Sequence, residues 1–166
     1  FESGSNITFN NFNFNRVVIS VESGAVVSFV DCVFNESTIA LSASVSISGT
    51  VFRNSTVNVS SAIGFSVVSN NVEFEKCTLN YLYDASVAVG YVTTNKINLT
   101  GGLIRAAVST NLSNFAVNEC TFNTSVTEHY PFINIGFSGT STADNIIIQK
   151  NIFNNIFRPF FILVMN

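Results

Sequence analysis

One seven-residue phrase is written three times in this chain, each time with cysteine at its fourth position: "FVDCVFN" at 29–35, "FEKCTLN" at 74–80 and "VNECTFN" at 117–123. Four looser versions share its spacing: "FNNFNFN" (9–15), "ISGTVFR" (47–53), "LTGGLIR" (99–105) and "IQKNIFN" (148–154). The starts fall 18 to 31 residues apart. A period of this length marks a solenoid, in which no unit can bury its apolar face alone and each must stack on the next. Between the phrases lie alternating runs, "VVISVES", "TIALSAS", "TVNVSSA", "SVAVGYV" and "FINIGFS". Alternation of this kind reads as strands with one buried face. Strong helix formers are scarce, while Val, Ile, Thr and Phe abound, which again favours strands. A chain that coils without helices and stacks each strand on its equivalent one turn later makes parallel sheets with rungs ~4.8 Å apart. The expected fold is therefore all-β: a single right-handed parallel β-helix (solenoid) of about seven rungs, one domain over residues 1–166.

The phrase assigns directions to side chains. Phe29, Cys32 and Phe34 point into the coil, and the seventeen phenylalanines form interior stacks. Asp31, Lys76 and Glu119 point out. Asn35, Asn80 and Asn123 close the phrase where the coil turns, because Asn tolerates the left-handed conformation. With the Thr50 and Gly102 rungs between them, Cys32, Cys77 and Cys120 fall two rungs apart in one column, ~9.6 Å. A disulfide needs Cα atoms within ~7 Å. Three buried free thiols serving as small apolar wedges are expected. Glu119 and Lys150 occupy one outward column on neighbouring rungs and should pair.

Charge excludes some functions. Charged residues are 10% of the chain, against an ordinary ~25%. The polar surface rests instead on Ser, Thr and Asn, 58 of the 166 residues. Seven scattered Lys and Arg give no basic footprint for nucleic acid. No apolar run reaches the ~18 residues that span a bilayer, so no membrane span is expected.

The spacing and the inward Cys, Asn or Thr wedge resemble the right-handed parallel β-helix repeats of the pectin-lyase-like superfamily and of large surface and adhesin proteins, over about residues 7–157. The resemblance implies a fold and leaves activity open. No catalytic motif of the pectin-degrading enzymes is present. Asp31 and Glu119 share an outward column but lie four rungs, roughly 19 Å, apart, beyond the ~5–9.5 Å of glycosidase carboxylate pairs. Glu73 and Glu75 share one side of a strand, ~7 Å apart, and are the best pair, although a solvated strand face explains them better. No Asp-rich calcium loop occurs. His129, the single histidine, reads as a surface residue before the strand "FINIGF". Arg16 and Arg105 fall at or after turns. Tyr81, Tyr83 and Tyr91 lie in one repeat and suggest a small outer patch. No catalytic, cofactor or metal residues are assigned, and no cofactor is expected.

Seven N-x-[ST] sequons occur, at Asn6, Asn35, Asn54, Asn58, Asn98, Asn111 and Asn123. They imply N-glycans on a secreted chain, although so Asn-rich a composition produces most of them unaided. The expected function is an extracellular or cell-surface structural scaffold: a stiff, glycosylated rod, not an enzyme. It should be a segment of a longer rod or stack end to end with other copies, since neither end carries a polar cap. The alternatives are a carbohydrate-active β-helix enzyme, a polysaccharide lyase or hydrolase with clustered acids on one face, and a receptor-binding adhesin using insertions near 81–96 or 125–145.

Overall fold

The computed structural model describes residues 1–61, 63–68, 71–82, 102–106, 112–124, 133–137, 142–154 and 161–165. Nineteen strands and no helix occur among them, arranged in three all-parallel sheets. The first sheet stacks β1 (Asn6–Asn10), β4 (Val26–Val30), β7 (Val45–Ser48), β10 (Ile63–Val67), β13 (Gly102–Ala106), β16 (Ile133–Phe137) and β19 (Phe161–Met165). The second stacks β2 (Asn13–Asn15), β5 (Val33–Asn35), β8 (Val51–Arg53), β11 (Glu73–Glu75), β14 (Leu112–Asn118) and β17 (Ala143–Gln149). The third stacks β3 (Val18–Val21), β6 (Thr38–Leu41), β9 (Thr56–Val59), β12 (Thr78–Tyr81), β15 (Thr121–Thr124) and β18 (Ile152–Asn154). The chain visits the three sheets in strict rotation, so each turn of the coil contributes one strand to each. This is a parallel β-helix with seven strands in its longest sheet.

Register fixes the length of each turn. In the third sheet the Cα partners Val18↔Thr38, Thr38↔Thr56 and Thr56↔Thr78 set turns of 20, 18 and 22 residues. The next two partners, Thr78↔Thr121 and Thr121↔Ile152, set turns of 43 and 31. The longer turns keep the same register, so inward columns stay continuous. Phe14, Phe34, Phe52 and Phe74 stack in one such column, with ring centroids 4.6, 4.8 and 4.7 Å apart and planes 16°, 8° and 4° from parallel. Phe122 and Phe153 stack likewise at 4.8 Å. These spacings follow from the rung separation of a parallel sheet. The core-filling reading holds for the phenylalanines whose side chains are described, except Phe12, which is 50% exposed. Tyr81 joins them: it is fully buried, so it forms no outer patch, and Tyr83 and Tyr91 lie outside the described residues.

The turns themselves differ from the sequence expectation. Twelve residues at two of the three corners take a left-handed φ. At the corner from first to second sheet these are Asn11, Asp31, Gly49, Asn71, Asn114 and Asn145; from second to third they are Arg16, Glu36, Asn54, Lys76, Glu119 and Lys150. Asn35, Asn80 and Asn123, expected at the turn, lie within strands β5, β12 and β15 instead. The coil turns four residues earlier, at Asp31, Lys76 and Glu119, with φ of 51°, 51° and 53°. Gly49 holds the same place with φ of 56°, where an added Cβ would meet the end of the exposed Asp31 side chain.

The same comparison separates the repeated phrases. In "FVDCVFN" the turn leads from β4 to β5, whereas in "FEKCTLN" and "VNECTFN" it leads from β11 to β12 and from β14 to β15. The phrase marks two different corners of the coil. Cys32 therefore stacks on Thr50 at one corner, and Cys77 and Cys120 occupy the other. "LTGGLIR" supplies β13 in the first sheet and is no corner of this kind. Asp31 and Glu119 consequently sit in different columns, which removes the shared column expected for them.

A corner residue with positive φ carries a steric cost of roughly 1–2 kcal/mol for an L-amino acid, most for a β-branched one. Lys76→Gly is expected to leave stability unchanged or raise it, and Lys76→Val to lower it by about 1–2 kcal/mol. Urea unfolding of the two variants checks this. Equal midpoints for both would show that the corner exerts no conformational demand.

Candidate functional site

The wedge residues explain why cysteine alternates with serine and threonine. At the corners that carry Cys32, Thr50, Ser37, Ser55, Cys77 and Cys120 the side chain after the left-handed residue is buried and donates to backbone carbonyls; at others that place holds an apolar residue such as Val72 or Phe115. Thr50 Oγ1, fully buried, contacts the carbonyls of Ser48 at 2.9 Å and Phe29 at 3.0 Å. Ser37 Oγ reaches Asn35 O at 2.9 Å and Phe14 O at 3.3 Å. The thiols repeat the pattern: Cys32 Sγ to Val30 O (3.3 Å) and Phe9 O (3.5 Å), Cys77 Sγ to Glu75 O and Phe52 O (both 3.4 Å), Cys120 Sγ to Asn118 O (3.3 Å) and Phe74 O (3.5 Å). Each wedge thus serves its own rung and the one below. Cysteine here is a weak donor as well as an apolar filler. All three thiols are buried and unbridged. The column spacing expected for them is corrected, however. Thr78 and Thr121 are direct partners, and Thr121 N donates to Cys77 O at 2.8 Å, so Cys77 and Cys120 are one rung apart. The Cys77 thiol is pushed up by its hydrogen bond to Cys120 and by burial, while Cys120 is lowered by that same bond against its own burial.

Outward columns are occupied by ladders of like residues. Asn58, Asn80, Asn123 and Asn154 form a chain of amide bonds up the third sheet, at 2.7, 2.8 and 2.8 Å. Asn71, Asn114 and Asn145, all at left-handed corners, form a second at 2.9 and 2.8 Å. Asn35 donates to Asn15 at 3.2 Å. The amide accepts on one side and donates on the other, so the rung spacing is bridged without strain. Charged residues pair in the same vertical manner. Arg16 meets Glu36 at 2.6 Å, and Lys150 meets Glu119 at 3.3 Å, as the column assignment of that last pair requires. Exposed pairs of this kind are worth at most ~1 kcal/mol each.

Glu73 and Glu75 do lie on one side of β11, but Arg53 on β8 binds both, at 3.4 and 3.2 Å, and Lys76 approaches Glu75 at 3.7 Å. The best carboxylate pair is thus engaged by cations. Beside it, an open groove of about 350 Å³ runs along the second sheet, lined by Asn71, Glu73, Asn114, Asn118, Asn145 and Ile147 among others. Asn118 Oδ1 is buried there with no hydrogen-bond partner. No alternating pattern announces this acceptor, because Asn118 belongs to a column of mixed residues whose neighbours are Glu75 and Gln149. Among the described residues no group of three His, Cys, Asp or Glu side chains converges.

No family model, curated protein or solved structure matches the chain.

His129 and the sequons Asn98 and Asn111 lie outside the described residues, as does the Arg105 side chain. The other sequons separate into two kinds. Asn6 and Asn54 have exposed side chains. Asn35, Asn58 and Asn123 are half-buried members of the amide ladders. No helix among the described residues is long and apolar enough to cross a membrane.

Proposed function

We propose that the chain is an extracellular structural scaffold: a stiff, glycosylated β-helical rod of the pectin-lyase-like type, serving in a surface or fibrous assembly. The observation that carries the reading is vertical continuity. Inward phenylalanines, corner donors, outward amides and ion pairs each bond to their equivalents one rung away. Bending the coil must break several of these columns together, which is the property of a rod. The first turn also exposes Phe12 at 50%, beside the partly buried Phe9 and Phe14. Its strands β1, β2 and β3 edge their sheets. An apolar end with open strand edges suits further rungs, whether of this chain or of a neighbouring copy.

Glycopeptide mapping of native material tests the surface role. Glycan is expected at Asn6 and Asn54, where the side chain stands clear. Little is expected at Asn35 and Asn123, whose Nδ2 donates to the amide one rung below, so that a sugar there would intrude between the two. Material with no glycan at any sequon would remove the support for an extracellular glycoprotein.

The groove beside Asn118 favours a second reading, a carbohydrate-active or carbohydrate-binding face. An unpaired buried acceptor flanked by amides suits a ligand rich in hydroxyl donors. Oligosaccharide titration followed by NMR at Asn118 and Glu73 decides it, with unmoved signals setting it aside.

A further inference from the structure

We propose that Cys77 and Cys120 form a cross-rung disulfide when the chain folds under oxidising conditions, and that Cys32 takes no part. In-register strands place neighbouring Cα atoms ~4.8 Å apart, inside the ~4.4–6.8 Å span of disulfides. Thr78↔Thr121 is such a register, and the two cysteines immediately precede these partners at one corner. Both are buried in the same column, and both thiols point at carbonyls of the rung below. Cys32 stands at the other corner, between Phe12 and Thr50. No cysteine neighbours it there.

The reaction is thiol–disulfide exchange with a small disulfide such as oxidised glutathione. The Cys120 thiolate attacks one sulfur of the reagent, and the first glutathione leaves as thiolate. Cys77 then loses its proton to that thiolate and attacks Cys120 Sγ in the mixed disulfide, releasing the second glutathione. Two protein thiols and one reagent disulfide become one protein disulfide and two glutathione thiols; two electrons pass to the reagent. Because both sulfurs are buried once the rungs close, bonding belongs to the folding stage. In-register side chains leave the Cβ atoms slightly wider than the ~3.5–4.5 Å ideal, and both corner S–H donors are lost.

The test refolds the reduced 166-residue chain in glutathione buffer, alkylates it, and maps peptides without reduction. The expected result is one disulfide linking the Cys77 and Cys120 peptides, with Cys32 alkylated only after denaturation. The bond closes a 43-residue separation, so the oxidised form should melt about 5 °C or more above the reduced form. Cys77→Ser and Cys120→Ser keep a corner donor and should fold, by circular dichroism, without forming the bond. Cys32→Ser should form it normally. Three free thiols after oxidative refolding, a glutathione adduct that persists on Cys120, or any bridge through Cys32 would each overturn the proposal. Since it depends only on register, it stands or falls separately from glycan mapping.

Discussion

Phe52→Ala is expected to lower stability by about 3–5 kcal/mol, a large share of the ~5–15 kcal/mol available to a domain. Phe52 is fully buried, with parallel rings 4.8 Å below and 4.7 Å above it and Phe65 at 5.0 Å. Truncation leaves a ring-sized gap between two rungs whose separation is set by backbone hydrogen bonds. The column cannot collapse to fill it, which places the cost at the upper end of large-to-small changes. Phe14→Ala, at the partly exposed first turn, should cost markedly less. Guanidinium unfolding of both variants measures the difference. Equal losses at the two positions would show that the stack does not act as a continuous column.

Thr50→Val should destabilise by about 1–3 kcal/mol although it preserves shape and adds no polar atom. The hydroxyl contacts the carbonyls of Ser48 and Phe29, and receives Cys32 N at 3.5 Å. In a fully buried corner water cannot replace it, and the backbone groups of two rungs lose a partner together. Thr50→Ser keeps the hydroxyl and removes one methyl, so it should cost about 0.8 kcal/mol. A valine variant as stable as the serine variant, by urea midpoint, would mean the wedge acts by filling space alone. The same logic makes Ser37 and Ser55, also buried, positions of structural demand despite their small side chains.

The candidate surface was only partly legible in the chain. Glu119 and Lys150 meet as their phrase positions require, because both occupy one corner on consecutive turns. Asn80, Asn123 and Asn154 also share a phrase position, but that position reads as a turn, and Asn58 lies outside any phrase, so their ladder was hidden. Arg53 between Glu73 and Glu75 was hidden because Arg53 holds a different phrase position from either acid.

The sequence by itself determined the alternation, the turn-length period and the inward phenylalanines. Those features demand strands that stack in parallel, since no single repeat can bury its own apolar face. It could not determine which corner each phrase occupies. These two corner columns share one local conformation: an inward residue, an outward one, a left-handed one, then a wedge that is a donor on some rungs and apolar on others. The local pattern is therefore the same at both. Only pairing between strands 18 to 43 residues apart distinguishes them. That pairing separates Cys32 from Cys77, places Cys120 directly above Cys77, and moves Asn35, Asn80 and Asn123 from the turns into the strands.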